Sequence, residues 1–208
     1  MSNAQFKTEQ EAFWAGEFGD EYTTRNEGAG LLAANAALFT KVLARMGMPA
    51  SIIEFGCNQG MNLKALRTLL PETELTGVEI NKKAAEKLEG ELDVEVIKSS
   101  ILDFTPQKTY DLAMIKGVLI HINPDELQNV YAKLYEASEK YIFVCEYYNP
   151  APVAIPYRGH DNKLFKRDFA GEIMEKYPDL ELVDYGFCYR KDPVFPQDDI
   201  TWFLLKKA

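Results

Sequence analysis

The sequence predicts an α/β fold: one doubly wound, mostly parallel sheet of about seven strands, helices on both faces, and an antiparallel hairpin at the C-terminal end. Three observations predict it. Short apolar runs alternate with helical stretches from Ser51 to Cys145. The first run closes on a glycine-bounded turn, Gly56 to Gly60, that leads straight into a helix. The last two runs are separated only by the turn-rich stretch Lys191 to Asp199, which suits an antiparallel pair.

Thr8-Glu9-Gln10-Glu11 has the spacing in which a threonine hydroxyl and a glutamate satisfy each other's free amides, so a short helix through Ala12, Phe13 and Trp14 is expected. Leu31, Asn35, Leu38, Phe39, Val42, Leu43 and Met46 recur at three- and four-residue steps, the mark of a core-facing helix that ends at Gly47 and Pro49. Ser51 to Phe55 reads as the first strand and Met61 to Leu70, stopped by Pro71, as the helix after it. Leu75 to Ile80 is a second strand, Lys82 to Leu88 a helix stopped by Gly90, and Val94 to Lys98 a third strand. Tyr110 to Lys116 is the fourth. Asn123-Pro124-Asp125-Glu126 then offers an N-cap, a proline at the first helical position and a capping glutamate for a helix to about Ser138. Tyr141 to Cys145, nearly continuous in apolar residues, reads as a strand covered on both faces. From Tyr147 to Asp161 the proline- and tyrosine-rich texture predicts a long loop, followed by a helix from Arg167 to Lys176 and strands at Leu180 to Tyr189 and Ile200 to Leu205.

At 208 residues, with no internal repeat or linker, the chain reads as a single domain spanning 1–208. A formal charge of −9 and a pI near 4.9 argue against a general grip on nucleic acid. No apolar stretch of about 18 or more residues is evident, so no membrane partner is expected. Cys57, Cys145 and Cys188 are odd in number and lack paired metal-ligand spacing, which predicts reduced thiols, no metal site and a cytoplasmic location.

In an open parallel sheet the ligand lies beyond the carboxyl ends of the strands, framed by the first strand-to-helix turn. A dinucleotide fingerprint starting at Gly56 would need glycine where Asn58 and Met61 stand, and no Gly-Lys-Ser/Thr follows to make a phosphate loop. The stretch Glu54-Phe55-Gly56-Cys57-Asn58-Gln59-Gly60 instead resembles motif I of the class I, Rossmann-like methyltransferases, with Glu54, Gly56 and Gly60 matching and Asn58 in the place of the middle glycine. Asparagine tolerates left-handed backbone angles better than most residues, so the departure is mild. The resemblance implies S-adenosyl-L-methionine as cofactor. It places Glu79, about 20 residues past the turn, where a carboxylate accepts hydrogen bonds from ribose hydroxyls. After the third strand such enzymes commonly carry an aspartate for the adenine amino group; here Ser100 and Ile101 stand instead, and Ser100 is the expected substitute. Lys116-Gly117-Val118-Leu119-Ile120-His121 resembles the segment that borders the methionine part.

Further segments resemble the pseudaminic acid biosynthesis-associated methylases over almost the whole chain. They are Phe13-Trp14, Phe18 to Asn26, Pro156-Tyr157-Arg158-Gly159-His160, Lys166 to Phe169, Asp184 to Phe187 and Asp198 to Phe203. The resemblance implies a small-molecule, sugar-type acceptor from nonulosonic acid or surface-glycan biosynthesis. Residues 1–30 would then cover the cofactor, with Tyr22 closing over it and Arg25 pairing with its carboxylate. Residues 149–165 would form an acceptor-side loop, in which Tyr157 and Arg158, with Tyr147 before it, hold the acceptor. A hydroxyl acceptor needs a base, and the sequence offers two candidates, His160 in the loop and His121 beside the cofactor pocket. The alternative is a non-catalytic S-adenosylmethionine-binding partner of a sugar pathway; a nicotinamide oxidoreductase is disfavoured by the glycine spacing.

Overall fold

The structure is a computed structural model that describes residues 6–25, 28–157 and 159–208, leaving the side chains of residues 24, 25 and 160–162 outside the description. Seven strands form the main sheet in the order β3-β2-β1-β4-β5-β9-β8: β1 Ser51–Phe55, β2 Glu74–Glu79, β3 Glu95–Lys98, β4 Tyr110–Lys116, β5 Ser138–Glu146, β8 Leu180–Cys188 and β9 Ile200–Lys207. The first five are mutually parallel. β9 runs antiparallel between β5 and β8, as two strands joined by a loop must.

Alternation along the strands explains the layering. Ile52, Leu112, Met114, Phe143, Cys145 and Leu204 point to one face, where α3 (Ala29–Met46), α4 (Met61–Leu69) and α5 (Lys82–Glu91) supply Phe39, Leu63 and Leu88. Ile53, Ala113, Ile115, Ile142, Val144 and Leu205 point to the other, against Val130, Tyr131 and Leu134 of α6 (Leu127–Ala137) and Ile173 of α7 (Phe169–Lys176). One helix stop differs from the sequence reading. α5 runs through Gly90 to Glu91 instead of stopping before it, since a single glycine costs a helix only about 1 kcal/mol and the buried face of Ala84, Ala85 and Leu88 anchors it.

Three further differences from the sequence reading matter for the site. The N-terminal region holds two helices, α1 Glu9–Ala15 and α2 Glu17–Arg25, broken at Gly16. The expected long loop after β5 folds into a two-stranded ribbon, β6 Val153–Tyr157 with β7 His160–Lys166, turning at Gly159 with φ +83°. Prolines at 150, 152 and 156 hid this strand, because such a separate ribbon tolerates proline where a central strand does not. Finally, α3, with 18 residues and a mean hydropathy of 1.2, is long and apolar enough to cross a membrane by length and composition, contrary to the sequence expectation. In the fold its Leu38, Phe39 and Val42 are buried in the core beside α4.

Candidate active site

β1 has β2 on one side and β4 on the other, so the chain connections diverge at the carboxyl ends of β1 and β4 and leave a crevice there. A cavity of about 730 Å³ occupies it, lined by the turn after β1, the ends of β2 and β4, α1, α2 and the β8–β9 loop. The turn is shaped by packing. Gly56 has φ +75°, and a Cβ there would lie 2.7 Å from Val118 Cγ2. Gly60, in the left-handed region at φ +76°, begins α4, and its Cβ would lie 2.4 Å from Leu88 Cδ1 on α5. Gly60 is therefore demanded by the helix behind the turn. Asn58, the one non-glycine residue with positive φ among those described (+49°), accepts the Gln59 amide on its own side chain at 2.7 Å. That local bond is what lets asparagine stand where glycine is usual.

Glu79 sits at the mouth of β2, 8% exposed, its carboxylate oriented by the Asn58 amide at 2.7 Å on one oxygen and the Asn81 amide at 2.7 Å on the other. Burial raises its pKa and these amides oppose the rise. Glu54 lies deeper. Burial pushes it to about 8; its Oε1 accepts from Asn62 Nδ2 at 2.6 Å, while its Oε2 and the Asn62 Oδ1 are buried oxygens with no hydrogen-bond partner among the described residues. Glu54 stands behind the cavity wall, and Asn62 and Lys116 line it. On the next strand but one, Glu146 accepts the Val118 and Leu119 amides at 2.8 Å each, and burial raises it to about 7. It thereby fixes the backbone after β4.

The loop after β3 departs from expectation. Ser100 is buried and its hydroxyl donates to Glu11 Oε1 while accepting the Leu102 amide at 3.0 Å. Its hydrogen is spent on Glu11 and one lone pair on the Leu102 amide, which leaves one lone pair on an oxygen that lines the cavity. Ile101 lines the cavity.

His121 ends the 3₁₀ turn Leu119–His121 and is 7% exposed at the cavity. Its Nδ1 lies 2.6 Å from the Lys163 carbonyl oxygen on β7. A carbonyl only accepts, so Nδ1 carries the hydrogen and Nε2 keeps the lone pair. Burial lowers its pKa to about 4. The ring lies between Trp14, with centroids 4.6 Å apart, and Tyr157, 5.1 Å away. Tyr22 lies edge-on to Trp14 at 5.1 Å, and Tyr147 donates to Asp198 at 2.7 Å across the cavity. Tyr22, Tyr147 and Tyr157 all line the cavity. The α1–α2 cover is fastened to the ribbon by Lys163, which pairs with Glu9 at 3.1 Å, and to the turn by Gln59, which donates to the Thr23 carbonyl at 2.6 Å.

Arg158 and the side chains of Arg25 and His160 lie outside the described residues. Sequence reasoning missed Glu11, Trp14, Asn35, Asn62 and Gln197, all of which line the cavity. Asn35 held a visible signal: an amide on an otherwise apolar helical face, here 1% exposed with an unpartnered Oδ1. Nothing local marked Gln197.

Residues 52–140 match the family described as a methyltransferase domain. The fold around them is a class I methyltransferase fold. Magnesium protoporphyrin IX methyltransferase (ChlM) from Synechocystis PCC 6803, solved with bound SAM, superposes with a TM-score of 0.70 at 12% identity, covering 100% of both chains. The plantazolicin methyltransferase BpumL, in complex with a pentazolic desmethylPZN analog and SAH, gives 0.64 at 15% identity over 91% of this chain and 89% of that one. Burkholderia thailandensis 1,6-didemethyltoxoflavin-N1-methyltransferase, with bound 1,6-didemethyltoxoflavin and S-adenosylhomocysteine, gives 0.69 at 14% identity over 95% and 87%. No curated protein matches the chain. The matched methyltransferase domain contains the turn, Glu79, Ser100, Lys116 and His121, whereas the aromatic cover and the ribbon lie outside it.

Proposed function

We propose that this chain, a methyltransferase by its fold and its matched domain, moves a methyl group from S-adenosylmethionine to a small acceptor in the same cavity. The acceptor we propose is a bacterial sugar or sugar-nucleotide intermediate of nonulosonic (pseudaminic) acid or surface-glycan biosynthesis. One observation carries the cofactor reading: a buried carboxylate, Glu79, held by two backbone amides at the end of β2, one strand from the turn. Its remaining lone pairs suit two adjacent ribose hydroxyls. The amino-acid end fits as well. Asn62 Oδ1, on a residue that lines the cavity beside the turn, is a buried acceptor without a donor among the described residues, and an ammonium group would satisfy it. Lys116 lines the cavity, its charge is felt at Glu54, and it suits the carboxylate.

When bound, S-adenosylmethionine supplies a methyl group activated by a sulfonium charge. The chain's own work is to align, to exclude water and to take a proton. The aromatic faces of Trp14, Tyr22 and Tyr147 favour a cation that is losing its charge less than they favour order around it, so their main role is walling and orienting. His121 is the base this reading assigns. With Nδ1–H tied to the Lys163 carbonyl and its pKa near 4, it is neutral at physiological pH and offers Nε2 to a hydroxyl as that proton becomes acidic in the transition state. His160 stays a second candidate through its place on β7 opposite Tyr157.

The sugar reading is supported by the resemblance segments, by the flat faces of Tyr147 and Tyr157, and by acceptor atoms on the far wall. Asn35 Oδ1 and Gln197 Oε1 have no donor among the described residues, and a polyhydroxylated molecule brings donors. The acidic surface and three free cysteines suit a reducing cytoplasm. The test is a screen of nonulosonic sugar and sugar-nucleotide intermediates with S-adenosylmethionine, read as S-adenosylhomocysteine release and a 14-dalton gain, about one CH₂, on the acceptor. Methylation of one of them supports the reading; tight S-adenosylhomocysteine binding with turnover only on non-sugar acceptors removes the sugar.

A further inference from the structure

We propose that Glu11, carried on the covering helix α1, reads the 6-amino group of the adenine and makes the site selective for adenine over 6-oxopurines. The inference rests on the reading of the cavity as an S-adenosylmethionine site and goes beyond it by assigning a specificity residue outside the matched domain.

The argument begins at Glu79. With the ribose there and the amino-acid end at the β1 turn, the base must extend the other way, over the end of β3, one strand spacing of about 4.8 Å farther along the sheet. The cavity wall in that direction is made of Ile80, Ile101 and Leu102, apolar surfaces for a flat ring, and of Ser100 and Glu11. A 6-amino group needs an acceptor. Ser100 has given its hydrogen to Glu11 and receives the Leu102 amide, so it is a crowded oxygen. Glu11 divides its two oxygens unequally. Oε2 takes the Lys7 amide at 2.8 Å, the Thr8 amide at 2.9 Å and the Thr8 hydroxyl at 3.4 Å, and is filled by the capping box. Among the described residues Oε1 takes only Ser100, which leaves it a lone pair, on a side chain 7% exposed and lining the cavity. A carboxylate accepts from an amino group and repels a 6-oxo oxygen, which gives the selectivity its sign. α1 is also fastened at this point, since Lys7 pairs with Asp103 at 2.6 Å. Adenine recognition and placement of the cover therefore fall to one residue.

The test is calorimetry of the full chain with S-adenosylhomocysteine and with S-inosylhomocysteine, which differs by carrying oxygen for the amino group. The wild type is expected to prefer S-adenosylhomocysteine by tenfold or more, about 1.4 kcal/mol. Glu11→Ala should lose most of that ratio, by weakening S-adenosylhomocysteine and not S-inosylhomocysteine. Thr8→Ala removes the helix cap but leaves the carboxylate, and should keep the ratio; Glu79→Ala should weaken both ligands alike. A Glu11→Ala protein with the wild-type ratio, or a Thr8→Ala protein that loses the ratio equally, overturns the assignment while leaving the cofactor reading intact. If the wild type binds neither ligand, the cofactor reading falls first and this inference with it.

Discussion

A histidine with one nitrogen hydrogen-bonded to a carbonyl has its other nitrogen committed as a lone pair, and in His121 the ribbon β6–β7 makes that commitment through Lys163. Burial then keeps the ring neutral down to about pH 4. His121→Asn is accordingly expected to lower kcat by about 10²-fold or more with cofactor affinity nearly unchanged. The wild-type pH–rate profile should lose activity on the acid side near pH 4, where the ring titrates, and not near the ordinary 6.5. An acid limb near 6.5 that disappears in His160→Ala would transfer the base to β7. At Glu79 the structure adds a second cost to the expected one. Glu79→Ala removes the carboxylate proposed to accept the ribose hydroxyls and also unpairs the Asn58 and Asn81 amides. Cofactor affinity should fall by about 1.5–3 kcal/mol, and Glu79→Gln, which can still accept one amide, should lose less. Equal cofactor affinity in folded Glu79→Ala would take the ribose elsewhere.

Among the elements, the turn and α5 are coupled through one contact. A methyl group on residue 60 would meet Leu88 at 2.4 Å on a backbone already in the left-handed region. Gly60→Ala should therefore cost about 1–3 kcal/mol of stability, part from the backbone angle and part from overpacking. The overpacking share should return in Gly60→Ala/Leu88→Ala, measured against Leu88→Ala alone by thermal unfolding. If Gly60→Ala keeps full stability and loses only cofactor affinity, the constraint faces the ligand after all. The cover is a second element-scale device. α1, α2 and the ribbon meet through Phe18 and Tyr157, 6.1 Å apart, and through the Lys163–Glu9 pair. A half-exposed pair of this kind contributes little by itself, so the aromatic contacts set the closure.

For the whole molecule, buried titratable groups bias stability against pH, His121, Glu54 and Glu146 among them. His121, lowered to about 4, is neutral in the folded chain while the unfolded chain still takes up a proton below about 6.5, so its contribution is lost as pH falls from 6.5 toward 4. Glu54 and Glu146, raised to about 8 and about 7, work the other way: the folded chain holds their protons longer than the unfolded one. Their stabilisation is full below about 4.5 and is lost as pH rises through 7 and 8. Glu54→Gln should consequently flatten the fall in Tm between pH 5 and 8. A wild-type slope that persists in a folded Glu54→Gln variant would mean that another group, such as Glu146, dominates it.

Local chemistry by itself determined the strands and helices of the main sheet, the glycine turn, the helix caps and the position of Glu79, because each depends on residues within a few places of one another. Thr8 and Glu11 were legible as a capping box, and so they fold. Asn58 was legible as a residue that tolerates a left-handed angle, and it adopts one. Only the tertiary structure decided what those groups do across the sheet. Glu11 meets Ser100 from 89 residues away, His121 meets the Lys163 carbonyl from 42, and Gln197 reaches the Ala34 carbonyl from 163. No periodicity encodes such distances. The ribbon was misread because prolines dominate its texture, and its pairing is fixed by contact with α1, α2 and His121 rather than by strand propensity. The cavity's chemistry is thus carried by pairs whose members are remote in the chain, and burial, which sets their pKa values, exists only once the layers have closed.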